Sequence, residues 1–216
     1  MKDLVIIGAG GFGREVAWLA EEINSVDLQW NLLGFIDDDD SKQGVALNGY
    51  PVIGPFEKLK VTNNIYAVCA VGATGTKKAL VEKAADAGLR FANLIHPDVQ
   101  LSRFVELGCG NIICAGTIIT VNIKIGNHVI INLDCTVGHD TVIGDYVTCA
   151  PAVNISGQVE IEEGCDIGTN TAIIQGKKIG RWSIIGAGAV VSRDIPPSCT
   201  AVGVPAKPIS FQGESF

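Results

Sequence analysis

The chain lacks several things that would point to common functions. Its seven cysteines include no C-x-x-C pair, and their number is odd. That spacing supplies no thiolate metal site and no disulfide framework. Cys69, Cys109, Cys114, Cys135, Cys149, Cys165 and Cys199 therefore read as reduced, mostly buried thiols of a cytoplasmic protein. Basic residues are outnumbered, 16 Lys+Arg against 23 Asp+Glu, for a net charge of -7. A nucleic-acid binder normally carries a basic stripe instead. No apolar run is long enough to cross a membrane, and the short run at residues 4–7 ends in glycines, so no signal peptide or membrane partner is expected. Histidine is scarce: only His96, His128 and His139 are present.

What the chain has in abundance is a period of six. From Ile95 every sixth residue is apolar through Val191, and seventeen blocks of six run from 95 to 196 without an insertion. The next position is often glycine, as at Gly108, Gly126, Gly138, Gly144, Gly168, Gly180 and Gly186. The fifth is small or branched, as at Val99, Thr117, Val129, Thr141, Val159 and Thr171. A period of six is neither that of a helix nor that of a plain strand. It predicts a parallel β-helix of hexapeptides, three to a coil. Cys149 takes an apolar position in this frame, so it is expected inside. The same ruler puts the three histidines on three different sides, which argues against a shared metal ion. It also stacks Thr169 beneath Ala187, eighteen residues on.

Residues 1–94 follow another rhythm. Apolar runs at 4–7, 30–36 and 65–71 alternate with helical patterns at 14–23 and 77–87, and a last strand is expected over 90–95. Alternating strands and helices imply an α/β, Rossmann-like parallel sheet. Residues 39–56, rich in glycine and proline, read as a loop excursion, and residues 197–216 as an extended tail after Pro196 and Pro197. The expected organisation is a Rossmann-like domain at 1–94, a left-handed β-helix at 95–196 and a tail at 197–216.

Gly8, Gly10 and Gly13 form G-x-G-x-x-G between a strand and a helix, and Asp37 and Asp38 close the next strand. In that context the glycines let a phosphate approach the helix N-terminus, and a carboxylate can accept from a ribose or base. A tight turn with a solvated acidic loop explains the same residues without a ligand. The half is small for a dinucleotide enzyme, because the second mononucleotide-binding unit is missing. His139 is followed by Asp140, a pair able to act as an oriented general base. His96, before Pro97, reads as structural, and His128 as part of an exposed turn.

Together the residues at 8–13, the strand end Phe35, Ile36, Asp37, Asp38, the run Asn93, Leu94, Ile95, His96, Pro97, the hexapeptides with His139 and Asp140, and Gly203, Val204, Pro205, Ala206, Lys207 resemble the hexapeptide-repeat sugar acetyltransferases. That family includes sialic acid O-acetyltransferases and bacillosamine- and perosamine-type nucleotide-sugar N-acetyltransferases. The resemblance spans nearly the whole chain. It implies a homotrimer with acetyl-CoA as co-substrate, His139 as base and Asp140 as its partner. It implies a nucleotide sugar on Gly10, Gly11, Phe12, Asp37, Asp38 and Gly72, with Asn132 near the sugar. Acetyl-CoA would meet Thr148, Thr169 and Ala187, with backbone N–H groups of Gly186 and Gly188 alongside. Lys177, Lys178, Arg181 and Lys207 would make that end basic. The expected reaction is acetylation of an amine on a UDP- or GDP-linked deoxy sugar. O-acetylation, a non-catalytic scaffold or sugar-nucleotide sensor, and an NAD-dependent enzyme remain open as alternatives.

Overall fold

The structure is a computed structural model that describes residues 1–59 and 64–211. The first part is a sheet in the order β3-β4-β2-β1-β5-β6, parallel except for β3 at its edge, with β1 at Lys2–Ile7, β2 at Trp30–Ile36, β3 at Ala46–Leu47, β4 at Tyr50–Gly54, β5 at Ile65–Cys69 and β6 at Arg90–Phe91. Helix α1 (Gly11–Val26) follows β1, and α2 (Thr74–Asp86) follows β5. Helix α1 presents Val16, Leu19, Ala20 and Ile23 to the core, the face its 3.6-residue period requires. Two sequence expectations are corrected. Residues 39–56 are not only loop: β3 and β4 form a hairpin, and β4 extends the sheet beside β2. Residues 90–95 are not one strand: β6 closes the first sheet, while Leu94–Ile95 opens the next.

That next structure is a left-handed parallel β-helix of two- and three-residue strands. Each pairs in register with the strand eighteen residues away, for example Ile112 with Ile130 and Ile113 with Ile131. Coils therefore rise by one strand spacing, about 4.8 Å. The first face carries Leu94–Ile95 through Ile184–Ile185, the second Gln100–Leu101 through Val190–Val191, and the third Val105–Leu107 through Lys178–Ile179. The apolar series points inward: Ile113, Ile131, Cys149, Ile167 and Ile185 are all nearly or wholly buried on the first face alone. Every sixth residue from Gly110 to Gly188 has positive φ, including Asn122, His128, Asp134, Asp140, Asn170 and Trp182. These residues make the corners, and Gly, Asn and Asp occupy most of them because they tolerate that conformation best. The tail expectation is also corrected as far as residue 211, because Cys199–Val202 continues the first face in parallel beside Ile184–Ile185 and Lys207–Phe211 folds back on it; its residues 212–216 lie outside the described residues.

The outward positions differ between faces. On the first, Leu94, Ile112 and Ile130 are buried because helix α1 and its sheet pack over them. On the second, Gln100, Ile118, Thr136, Asn154, Ala172 and Val190 carry no charge. On the third, Lys124 pairs with Glu106 at 3.6 Å and Lys178 with Glu160 at 2.9 Å. Six of the seven cysteines are buried, and all are unpaired.

His128 is not in an exposed turn. It lies buried where the two parts meet, stacked 5.4 Å from Tyr146 and edge-on to Phe91 at 4.5 Å. Among the described residues its Nδ1 has no partner, and burial, helped by the charge of Lys77, lowers its pKa to about 4. The folded state thus prefers neutral imidazole. The associated stability is complete above pH 6.5 and is lost as pH falls toward 4, by up to about 3 kcal/mol. Urea denaturation across that range will show this acid loss, and His128→Asn, which suits the positive-φ position, will flatten it. In the β-helix, Ile167→Ala will cost about 3 kcal/mol in the same measurement, since its side chain fills a wholly buried inward site.

Candidate active site

Three corners separate the three faces. The first holds residues 132–135, 168–171 and 186–189; the second holds 138–141; the third holds 144–147 and 162–165. The second corner carries His139. Its Nδ1 lies 2.7 Å from Asp140 Oδ2, and Asp140 Oδ1 accepts from Asn122 Nδ2 at 3.2 Å. Asp140 can reach back to the ring because it sits at the positive-φ corner position, φ 59°. The hydrogen bond from His139, then that from Asn122, holds the Asp140 carboxyl below its usual pKa. A carboxylate on Nδ1 selects the tautomer with the proton there and leaves the Nε2 lone pair free. Both side chains are about half exposed, so the imidazole is accessible from solvent.

One coil on, Gly157 lies against the ring. A Cβ there would stand 2.6 Å from His139 Cε1 and Nε2. Asn122 and Gly157 escaped the sequence reading, although Asn122 lies eighteen residues before Asp140 and Gly157 eighteen after His139.

In the first sheet, the glycine-rich turn has specific steric reasons. A Cβ on Gly13 would sit 2.0 Å from Gly8 O, whereas Gly10 and Gly11 face open space. Gly10 caps α1 without any side-chain bond, so the first-turn N–H groups of Gly11 and Phe12 are available to an anion. The Phe12 ring packs into the apolar cluster, leaving its backbone for any ligand. Asp37 does not serve as a free acceptor. Its Oδ2 accepts from Ala9 N at 2.8 Å and from Lys42 Nζ at 3.1 Å, and its Oδ1 accepts from Asp39 N at 3.0 Å. Partial burial alone would raise this carboxyl; the Ala9 and Asp39 N–H groups and the Lys42 ammonium outweigh it and lower the pKa. Asp37 thus ties the glycine turn to β2, while the half-exposed Asp38 pairs with Lys83 at 3.3 Å. Gly8, Asp37, Asp38, Phe56 and Leu80 line a cleft of about 200 Å³. That is smaller than the usual ligand pocket of roughly 300–1,000 Å³, so it holds part of a ligand at most.

The first corner gathers Asn132, Thr169, Gly186, Ala187 and Gly188. Gly188 N donates to Thr169 O at 2.8 Å, which seats Ala187 on Thr169. The N–H groups of Gly186 and Gly188 are both taken by the ladder, to Ala201 O and Thr169 O, so neither is free as expected. Among the described residues only Ala187 of the three keeps its N–H unused, and Gly188 faces open space. Lys207 lies on the last strand, paired with Val202, whose side chain abuts Gly186. The expected basic cluster is dispersed: Lys177 is on the second corner, Arg181 on the third, and Lys178 on the third face is paired with Glu160 and Glu162. Thr148 is also removed from the cofactor set. It is buried beneath α2, with its hydroxyl donating to Gly72 O at 2.9 Å and accepting from Lys77 Nζ at 2.7 Å.

One chain therefore holds the His139 pair on one corner and Asn132, Thr169 and Ala187 on another, both flanking the uncharged second face. Gly157→Ala will push the imidazole away from its seat. A displacement near 1 Å lowers turnover about a hundredfold, and steady-state kinetics beside an unchanged thermal midpoint will show it.

Comparison with known proteins agrees with this architecture. Residues 3–84 match the PglD N-terminal domain. The chain is 32% identical over 211 residues to GDP-perosamine N-acetyltransferase of Escherichia coli O157:H7, covering 94% of each. WeeI from Acinetobacter baumannii superposes with a TM-score of 0.88 at 33% identity, covering 97% of this chain and all of that one. PerB from Caulobacter crescentus, solved with CoA and GDP-perosamine, gives 0.86 at 32% identity, covering 97% and 98%. The acetyltransferase domain of PglB from Neisseria gonorrhoeae, solved with acetyl coenzyme A, gives 0.87 at 34%, covering 96% and 99%. With a Rossmann-like sheet seated on a hexapeptide β-helix, the chain belongs to the sugar acetyltransferase family that includes GDP-perosamine N-acetyltransferase.

Proposed function

We propose that this enzyme transfers the acetyl group of acetyl-CoA to the amine of a nucleotide-linked amino deoxy sugar, for glycan assembly. The His139–Asp140 pair on an open corner carries this reading, joined to the perosamine-type relatives that span the chain. His139 Nε2 takes a proton from the sugar amine as its nitrogen attacks the thioester carbonyl. The C–N bond forms, the C–S bond breaks, and the departing CoA thiolate takes the proton back from His139 Nε2 to leave as the thiol. Asp140 accepts the Nδ1 proton's hydrogen bond and offsets the charge of the imidazolium. The Ala187 N–H and the open backbone above Gly188 suit a long chain lying along the first corner, with Thr169 and Lys207 beside it. Gly10, Gly11, Phe12, Asp38 and Gly72 suit the nucleotide sugar, and Asp37 holds that turn in shape.

The separation of His139 from the first corner favours a homotrimer. In it the second faces turn toward partners, and the second corner of one chain meets the first corner of the next. An uncharged second face supports this arrangement, because it presents no charge to desolvate. The free cysteines suit the reducing cytoplasm, and no described helix is long and apolar enough to cross a membrane.

His139→Ala will fold, keep acetyl-CoA binding by calorimetry, and lose turnover by about 10²-fold or more; a wild-type rate would remove the base. Thiol release measured with GDP- and UDP-linked 4-amino sugars against free sialic acid will show preference for the nucleotide-linked amines. Light scattering will report the mass of three chains.

A further inference from the structure

Lys77, in the first turn of α2, is wholly buried. Its Nζ donates to Thr148 Oγ1 at 2.7 Å and to Val147 O at 3.2 Å. Thr148 in turn donates to Gly72 O at 2.9 Å. This direction is not arbitrary: the Gly72 carbonyl can only accept, so the single proton of the Thr148 hydroxyl has to point at it. The relay links the β-helix to the turn between β5 and α2. That turn also abuts the glycine turn, since a Cβ on Gly8 would stand 2.9 Å from Val71 and 3.3 Å from Ala70 O. Gly72 itself faces open space.

A buried lysine costs stability unless it is well paired, and an apolar side chain of the same length fills such a seam more cheaply. Val147 O already accepts from Ile130 N at 2.9 Å, so it does not need the ammonium. The groups around Lys77 are Cys69 from β5, Cys149 and Asp166 from the first face, and His128 from the third corner. Among the described residues none of them is hydrogen-bonded to Nζ, which donates to the Thr148 hydroxyl and the Val147 carbonyl. Fold stability therefore gives no reason for a lysine here, whereas holding Gly72 does.

We propose that Lys77 and Thr148 are positioning residues for the nucleotide sugar, which orient the Gly72 carbonyl and so set the nucleotide-binding turns against the β-helix that carries acetyl transfer. This rests on the reading that the turns at 8–13 and 72 hold the nucleotide.

The test measures GDP and UDP affinity by calorimetry, with KM for nucleotide amino sugar and for acetyl-CoA. The proteins are the full-length wild type, Thr148→Val, Thr148→Ser, Lys77→Met, the double variant Lys77→Met/Thr148→Val, and Gly11→Leu as a direct block of the nucleotide turn. Thr148→Val and Lys77→Met will each weaken nucleotide binding about tenfold, the worth of one ordered hydrogen-bond link to a charged group, and will raise KM for the sugar without raising KM for acetyl-CoA. Thr148→Ser will restore wild-type affinity. The double variant will be no weaker than Thr148→Val, because both act through one carbonyl. The thermal midpoint of Lys77→Met will equal or exceed that of the wild type. Wild-type nucleotide affinity in Thr148→Val, additive losses in the double variant, or a parallel rise in KM for acetyl-CoA would each overturn the proposal. If Gly11→Leu abolishes binding while Thr148→Val does not, the nucleotide reading stands and the relay falls. If Gly11→Leu leaves binding intact, both fall.

Discussion

Everything in this molecule hangs on one geometric constraint: the chain turns a corner every six residues while each strand stays in parallel register with the strand eighteen residues away. Nearly every strand sends one apolar side chain of the six-residue series into the interior. The corner needs a left-handed backbone residue at a fixed place, from Gly110 through Gly188. Chemistry is then distributed by arithmetic. His139 shares its corner with Val121 and Gly157 because they lie eighteen residues to either side. Asp140 reaches the imidazole because the corner residue itself has positive φ, which an aspartate accepts. The rigidity that keeps the imidazole, Asp140 and Asn122 in line is a property of the ladder and not of the site alone.

The same regularity forces a division of labour. A repeat with six-residue spacing presents three similar faces, and they are told apart only by their outward residues. Leu94, Ile112 and Ile130 make the first face sticky at its base, and the Rossmann-like sheet settles there. Higher on that face the outward positions become Thr148 and Asp166, and the contact with α2 turns polar. His128 and Lys77 are buried in this seam. Both are bases whose charged forms burial disfavours, so the junction holds two groups whose protonation is tied to its packing.

The fold was legible because it is periodic. The apolar series at Ile95 through Val191 needs no tertiary information to be read as hexapeptides, and Cys149 falls inside because its place in the series is inside. Legibility failed where an interaction joins positions with no regular spacing. Thr148 looks like a surface threonine on an acetyl-CoA face, and nothing near it in sequence announces Lys77 or Gly72. Asp37 looks like a ribose acceptor, yet Ala9, Asp39 and Lys42 use its oxygens. Gly186 and Gly188 look like exposed donors until the ladder that consumes their N–H groups is drawn.

The sequence by itself determined the coil, the inward residues, the corner that each histidine occupies, and the glycine turn before α1. These follow from local spacing, since a β-helix converts distance along the chain directly into position in space. Tertiary structure decided which face carries the Rossmann-like sheet, which polar groups were consumed at that seam, and that His139 and the Thr169–Ala187 stack stand on separate corners flanking a bare, uncharged face. Those outcomes depend on which surfaces bury one another, and burial is settled only when the whole chain has folded.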